Sequence, residues 1–157
     1  GGQIYAQLFI APDGETFALW NHITQYWPET SHMHSHDVLP KRKDLGEDKF
    51  RTLEIHRKRL IIYRRDGSIV KTFGVGDFLQ DDEWESVLVV FTRIHWLQEY
   101  DELTYRDICR RQYSFYRISP DYTVLEFQPV SSRARRKEPP RKIRVSLTDG
   151  QILDPDE

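Results

Sequence analysis

His32, His34 and His36, spaced by single residues and followed by Asp37, form a cluster of imidazoles able to bind a metal. On an extended strand alternate residues point the same way, so the three imidazoles would converge on one side. Neutral imidazole suits Zn²⁺, Ni²⁺ or Cu²⁺, and an aspartate can complete the shell. Structural zinc sites generally draw on two separated pairs of ligands, so a solvated polar loop that picks up metal adventitiously is the competing reading. His22 or His95 could act as a distant fourth ligand, although nothing in the sequence brings either one near. The expectation is no resident cofactor, with a divalent transition metal on His32, His34 and His36 as the alternative.

A second candidate is the basic run Arg133, Arg135, Arg136, Lys137, Arg141, Lys142 and Arg144, the largest same-sign cluster in the chain. Its first four members could dock a phosphate or an acidic partner, with a strong dependence on salt. Glu138 and Pro139-Pro140 interrupt the run, and a solvated hairpin loop explains it equally well. Third, Trp20, Tyr26 and Trp27 lie close in sequence to Asn21 and His22. Exposed rings beside amides can stack on a sugar or a peptide, which makes Trp20, His22 and Trp27 candidate ligand-binding residues. Packing in the core is the alternative for Trp20.

Catalytic chemistry finds less support. The acids of Asp81-Asp82-Glu83-Trp84-Glu85 could supply an acid–base pair, but adjacent acids more often open an exposed helix. Cys109 lies beside Arg110 and Arg111, which could lower a thiol pKa on close approach. Nothing in the sequence pairs that cysteine with a histidine, and a lone cysteine is usually a small buried hydrophobe. Neither a G-x-S-x-G elbow, a P-loop nor a dinucleotide fingerprint occurs.

The elements that must position these residues follow from composition and pattern. At 157 residues the chain has the size of one domain, residues 1–157, able to bury a core without metal or disulfides. Aromatics make up 13% of it, which suits pleated sheets. Twenty-three basic residues face 25 acidic ones, a net charge of −2 that argues against a dedicated nucleic-acid binder. The single cysteine rules out an internal disulfide without fixing the compartment. No stretch approaches the roughly 18 apolar residues that a membrane span needs. Gly1-Gly2 reads as the scar of a removed upstream segment, so export with a cleaved signal is compatible with the chain.

The strongest pattern is a repeated unit of apolar strand, aspartate-centred turn and second strand. Turns Pro12-Asp13-Gly14, Arg65-Asp66-Gly67, Pro120-Asp121-Tyr122 and Thr148-Asp149-Gly150 each separate two apolar runs. Aspartate caps such a turn with its side chain, and glycine takes positive φ without a Cβ clash. Tyr122 in place of glycine predicts a third turn of different type or length. Ile143, Val145 and Leu147 alternate with Lys142, Arg144 and Ser146, the period of a half-buried strand. Leu60-Ile61-Ile62-Tyr63 reads as a strand covered on both faces. Ser86 to Thr92 reads as one continuous strand running on towards Ile94 and Trp96. Helix is confined to one turn at Asp81–Glu85 and a short segment at Asp101–Arg111, a stretch that an edge strand would explain as well. Thr24 to Lys49 and Pro129 to Arg141 read as long loops, where contacts are expected.

The segments IAPDGETFALW, YRRDGSIVKTF and ISPDYTVLEF resemble the strand–turn–strand pieces of β-propeller and related repeat-type β proteins. The layout is also similar to that of exported bacterial β-repeat proteins, a resemblance that implies no activity. Asp13, Asp66 and Asp121 recur at intervals of 53 and 55 residues, and Asp149 follows after 28. Propellers use about 4–8 blades with repeats of roughly 40–50 residues, so this length supplies about three. The fold class expected is therefore mainly β. Antiparallel hairpins would form a sandwich, a half-open barrel or a partial propeller completed by another copy. The function expected is a non-enzymatic interaction or ligand-binding domain for a protein or small ligand, with oligomerisation open. A metal-binding protein and a polyanion-binding accessory domain are the alternatives.

Overall fold

In a computed structural model, residues 7–21, 24–25, 60–90, 93–100 and 115–153 are described. They form a mainly β architecture of three antiparallel sheets around one aromatic core. The first sheet contains β1 (Gln7–Ile10), β2 (Thr16–Trp20), β4 (Leu60–Arg64) and β5 (Ile69–Phe73), in that spatial order. The second contains β8 (Tyr116–Ile118), β9 (Val124–Phe127), β10 (Ile143–Ser146) and β11 (Ile152–Leu153), each beside the next. The third is small: β3 (Thr24–Gln25), β7 (Arg93–His95) and β6 (Leu88–Val90). Among the described residues one short α-helix, α1 (Asp81–Ser86), precedes β6. The described strands form no closed barrel.

All four aspartate-centred reversals join neighbouring antiparallel strands. In each, an aspartate Oδ1 accepts from the backbone N–H two residues on: Asp13 from Glu15, Asp66 from Ser68, Asp121 from Thr123 and Asp149 from Gln151. The third turn does not differ in kind, contrary to expectation. Tyr122 takes φ 59°, the left-handed conformation that Gly14 and Gly67 adopt at φ 71° and 87°. Its N–H reaches the Ser119 carbonyl at 2.9 Å, just as Gly14 and Gly67 reach Ala11 and Arg64 at the same distance. Local bonds offset the strain of that conformation. Ser119 Oγ donates to Asp121 and accepts from Thr123 and Val124, while the Tyr122 ring stacks on Phe9. The last turn is the wider one, closing Gly150 N–H onto Ser146. A Cβ on Gly150 would lie 2.6 Å from the Cβ of Lys71, so this turn packs directly on β5 and ties the second sheet to the first.

These turns make stability depend on pH. The Ser68, Ser119 and Gln151 hydrogen bonds lead in holding the Asp66, Asp121 and Asp149 carboxyls below the ordinary value of 3.8. A depressed folded-state pKa stabilises above the unfolded value and loses that contribution as pH falls through the folded one. The urea midpoint is therefore expected to fall progressively below about pH 4. Replacing all three aspartates with asparagine should flatten the slope; an unchanged slope would contradict the assignment.

One expected strand is two. Ser86 closes α1, and Leu88 to Val90 then pairs antiparallel with Arg93 to His95, with Val89 opposite Ile94. β6 and β7 therefore form an antiparallel pair where the continuous apolar run suggested a single strand. The Pro129–Arg141 connection links β9 to β10 and contains a 3-10 turn at Ser132–Arg136. Most of the Thr24–Lys49 segment and all of Asp101–Arg111 lie outside the described residues.

Alternation decides which side chains meet. Phe9, Ala18, Trp20, Leu60, Ile62 and Phe73 face inward from the first sheet; Tyr116, Leu125, Phe127, Ile143 and Val145 do so from the second. A bulge between Ile62 and Tyr63 makes Val70 the extra residue, and its side chain packs against the core while Ile69 points outward. Trp20 is 0% exposed, with its ring 5.1 Å from Phe127, 5.9 Å from Trp96 and 6.1 Å from Tyr116. Both large sheets and Trp96, just after β7, converge on that one indole.

Candidate functional site

His32, His34, His36, His22 and Trp27 lie outside the described residues. Among the described residues, no three His, Cys, Asp or Glu side chains gather as a metal would need. Trp20, their partner in the proposed aromatic ligand site, stands in the core with its ring surrounded by other aromatics.

The basic run splits into separate environments. Arg136 forms a two-pronged bond with Glu138, Nε to Oε1 at 2.9 Å and Nη2 to Oε2 at 3.2 Å, on the surface. Arg141 turns inward, where Nε donates to Glu83 Oε2 at 2.9 Å and Nη2 donates to Glu83 Oε1 and the Phe78 carbonyl. Glu83 Oε1 also accepts from the Gln80 N–H at 2.8 Å, so one carboxylate caps α1 and fastens the approach to β10. Arg133, Arg135 and Lys137 make no ion pair among the described residues. Lys137 ends the 3-10 turn in the left-handed conformation. The contact with Glu83 thus takes up Arg141, and Arg144 stands apart on β10, leaving a smaller basic cluster than the sequence suggests.

The outward faces of the two large sheets differ in chemistry. On the first, Leu8 opposes Leu19, Ile10 opposes Phe17, Phe17 opposes Tyr63, Leu19 opposes Ile61, and Tyr63 opposes Ile69. Phe17 and Tyr63 stack with centroids 4.9 Å apart. Leu8, Ile10 and Ile69 are 54%, 56% and 49% exposed. The face has no charged residue at any of these positions; among the described residues its nearby ion pair, Arg65 with Glu15, sits at the hairpin tips. Ile61 and Tyr63 are thus half-buried rather than covered, so β4 is enclosed on one face only.

The second sheet turns charge outward. Arg117 on β8 and Arg144 on β10 both stand opposite Glu126 on β9. Tyr100 lies over this ladder: its hydroxyl donates to Glu126 Oε1 at 2.9 Å, and the Arg117 guanidinium lies 4.3 Å from its ring centroid. Burial first, and then the Glu126 charge and hydrogen bond, push the Tyr100 phenol far above its ordinary range. It therefore remains a donor. Arg144 Nε is 3.7 Å from Glu126 Oε2, an ion pair too long for a hydrogen bond. Arg117 Nε is buried and has no hydrogen-bond partner among the described residues. The sequence carried a signal for this ladder. Arg117, Glu126 and Arg144 each stand between two apolar strand residues, but only the register brings them together.

No family model matches the chain, and no curated protein or solved structure is similar to it. No helix among the described residues is long and apolar enough to cross a membrane.

Proposed function

We propose that this chain is a non-enzymatic interaction domain that presents the outer face of its first sheet to another β-sheet face, supplied by a second copy of the chain. The observation that supports the reading is the uncharged apolar surface around Leu8 and Ile10, both more than half exposed. Sheets stack on sheets at about 10 Å when both faces are apolar. A head-to-tail arrangement would set this face against the Arg117–Glu126–Arg144 ladder, a poor match in polarity. A two-fold arrangement sets like on like. The resemblance to propeller-type repeats points the same way, because their four-stranded sheets also stack in series.

Size sets the strength. Four strands of four to five residues present roughly 300 Å² of sheet plane. Stable complexes bury about 800 Å² per partner, so the association is reversible and weak. Sedimentation velocity across a micromolar-to-millimolar series is expected to show a rising weight-average coefficient. The double variant Leu8→Lys/Ile10→Lys should abolish the rise and change stability by no more than about 0.5 kcal/mol, as for other surface substitutions. A wild-type chain that stays monomeric throughout, or a variant that associates equally well, would sink the reading.

A further inference from the structure

We propose that the outer face of the second sheet is an oxyanion-binding site, in which Arg117 and Arg144 grip a phosphate or carboxylate group from either side of Glu126. This site is on a different sheet from the apolar face and does not depend on it.

Four observations converge. Two arginines stand on the strands either side of one glutamate, so the register leaves an excess positive charge across β8, β9 and β10 in a half-buried setting. That carboxylate is already committed, since Oε1 accepts from Tyr100 and Oε2 stays 3.7 Å from Arg144. Arg117 is held in place by stacking on Tyr100, yet its buried Nε has no acceptor among the described residues. Buried donors in folded proteins are nearly always satisfied, and one on an outward sheet face, unlike the indole N–H groups of the core, is placed for a water, ion or ligand to satisfy. A guanidinium presents two parallel N–H groups that fit the paired oxygens of a phosphate or carboxylate. Lastly, the residues project from three adjacent hydrogen-bonded strands, a rigid platform that holds both forks ready without an ordering cost.

The test uses the full chain, with inorganic phosphate and acetate as separate probes, at ionic strength held constant with sodium chloride. Isothermal titration and thermal shift should show saturable binding of at least one probe. Preference for phosphate would identify a phosphate group as the natural determinant, and preference for acetate a carboxylate; either result supports the site. Arg117→Gln or Arg144→Gln should weaken binding at least tenfold. Arg117→Lys, which keeps the charge and the aliphatic stem, should melt like the wild type and still bind several-fold more weakly. Glu126→Gln removes the competing carboxylate and should tighten binding. Amide shifts should localise the response to β8, β9 and β10. A non-saturable response equal to that of added sodium chloride would overturn the proposal. So would binding that survives in both arginine variants, or that weakens in Glu126→Gln.

Discussion

Replacing Arg141 with methionine is expected to cost about 3–5 kcal/mol of unfolding free energy, the usual effect of removing one partner from a buried ion pair. The side chain of Glu83 is only 2% exposed, against 25% for Arg141. Losing the arginine therefore strands the more deeply buried group. Glu83→Gln should cost less, because the amide oxygen can still accept from the Gln80 N–H and Arg141 can turn partly to water. The pair links α1 to the approach of β10, residues 58 apart in sequence, so no local rearrangement replaces it. In the double variant Glu83→Gln/Arg141→Met, the two losses should sum to clearly more than the measured cost, since the groups are directly coupled. Urea titrations of the three variants check this. Additive costs, or a glutamate variant as unstable as the arginine one, would show that the clamp is not acting as a unit.

Trp20→Ala carries the other large effect, about 3–5 kcal/mol, as for large-to-small changes in aromatic cores. The indole contacts Phe127 and Tyr116 of the second sheet and Trp96 beside the third, so the cavity would open where all three sheets meet. Trp20→Phe distinguishes packing from hydrogen bonding. The Trp20 Nε1 is buried with no partner among the described residues, as is that of Trp96. Phenylalanine removes that unsatisfied donor, whose burial costs about 1–3 kcal/mol. The phenylalanine variant should therefore lose only about 1–2 kcal/mol, part of its smaller volume being offset. Calorimetry or denaturant unfolding reads both. A phenylalanine variant as unstable as the alanine one would mean that the N–H is satisfied in solution.

The sequence made the hairpins legible because Asp-Gly and its neighbours act locally. A side chain two residues from an N–H specifies the turn without knowledge of the rest of the chain. Tyr122 misled for the same reason. Its positive φ is held by Ser119 and by the Phe9 ring, and Phe9 lies on a strand of the other sheet. The pairing of β6 with β7 was invisible because Val87 to Ile94 contains no Gly, Pro, Asn or Asp to mark a turn. Trp20 carried two readings in the sequence, and its place in the core depends on sheet packing that no local window contains. The Arg117–Glu126–Arg144 ladder needed register. A charge between two apolar residues is ordinary on any one strand, and only pairing sets three of them side by side. Likewise, the run from Arg133 to Arg144 looked like one patch, whereas strand geometry sends Arg141 inward and Arg144 to the opposite face from its neighbours Ile143 and Val145.

The contact role of the first sheet is open to a direct reading at single residues. Methyl signals of Leu8 and Ile10 can be recorded with a soluble paramagnetic agent at low and at high protein concentration. Strong broadening in dilute solution that fades as concentration rises, with core methyls such as those of Leu60 and Leu125 unaffected, is the predicted outcome. Equal broadening at every concentration would show that no second molecule ever covers that surface.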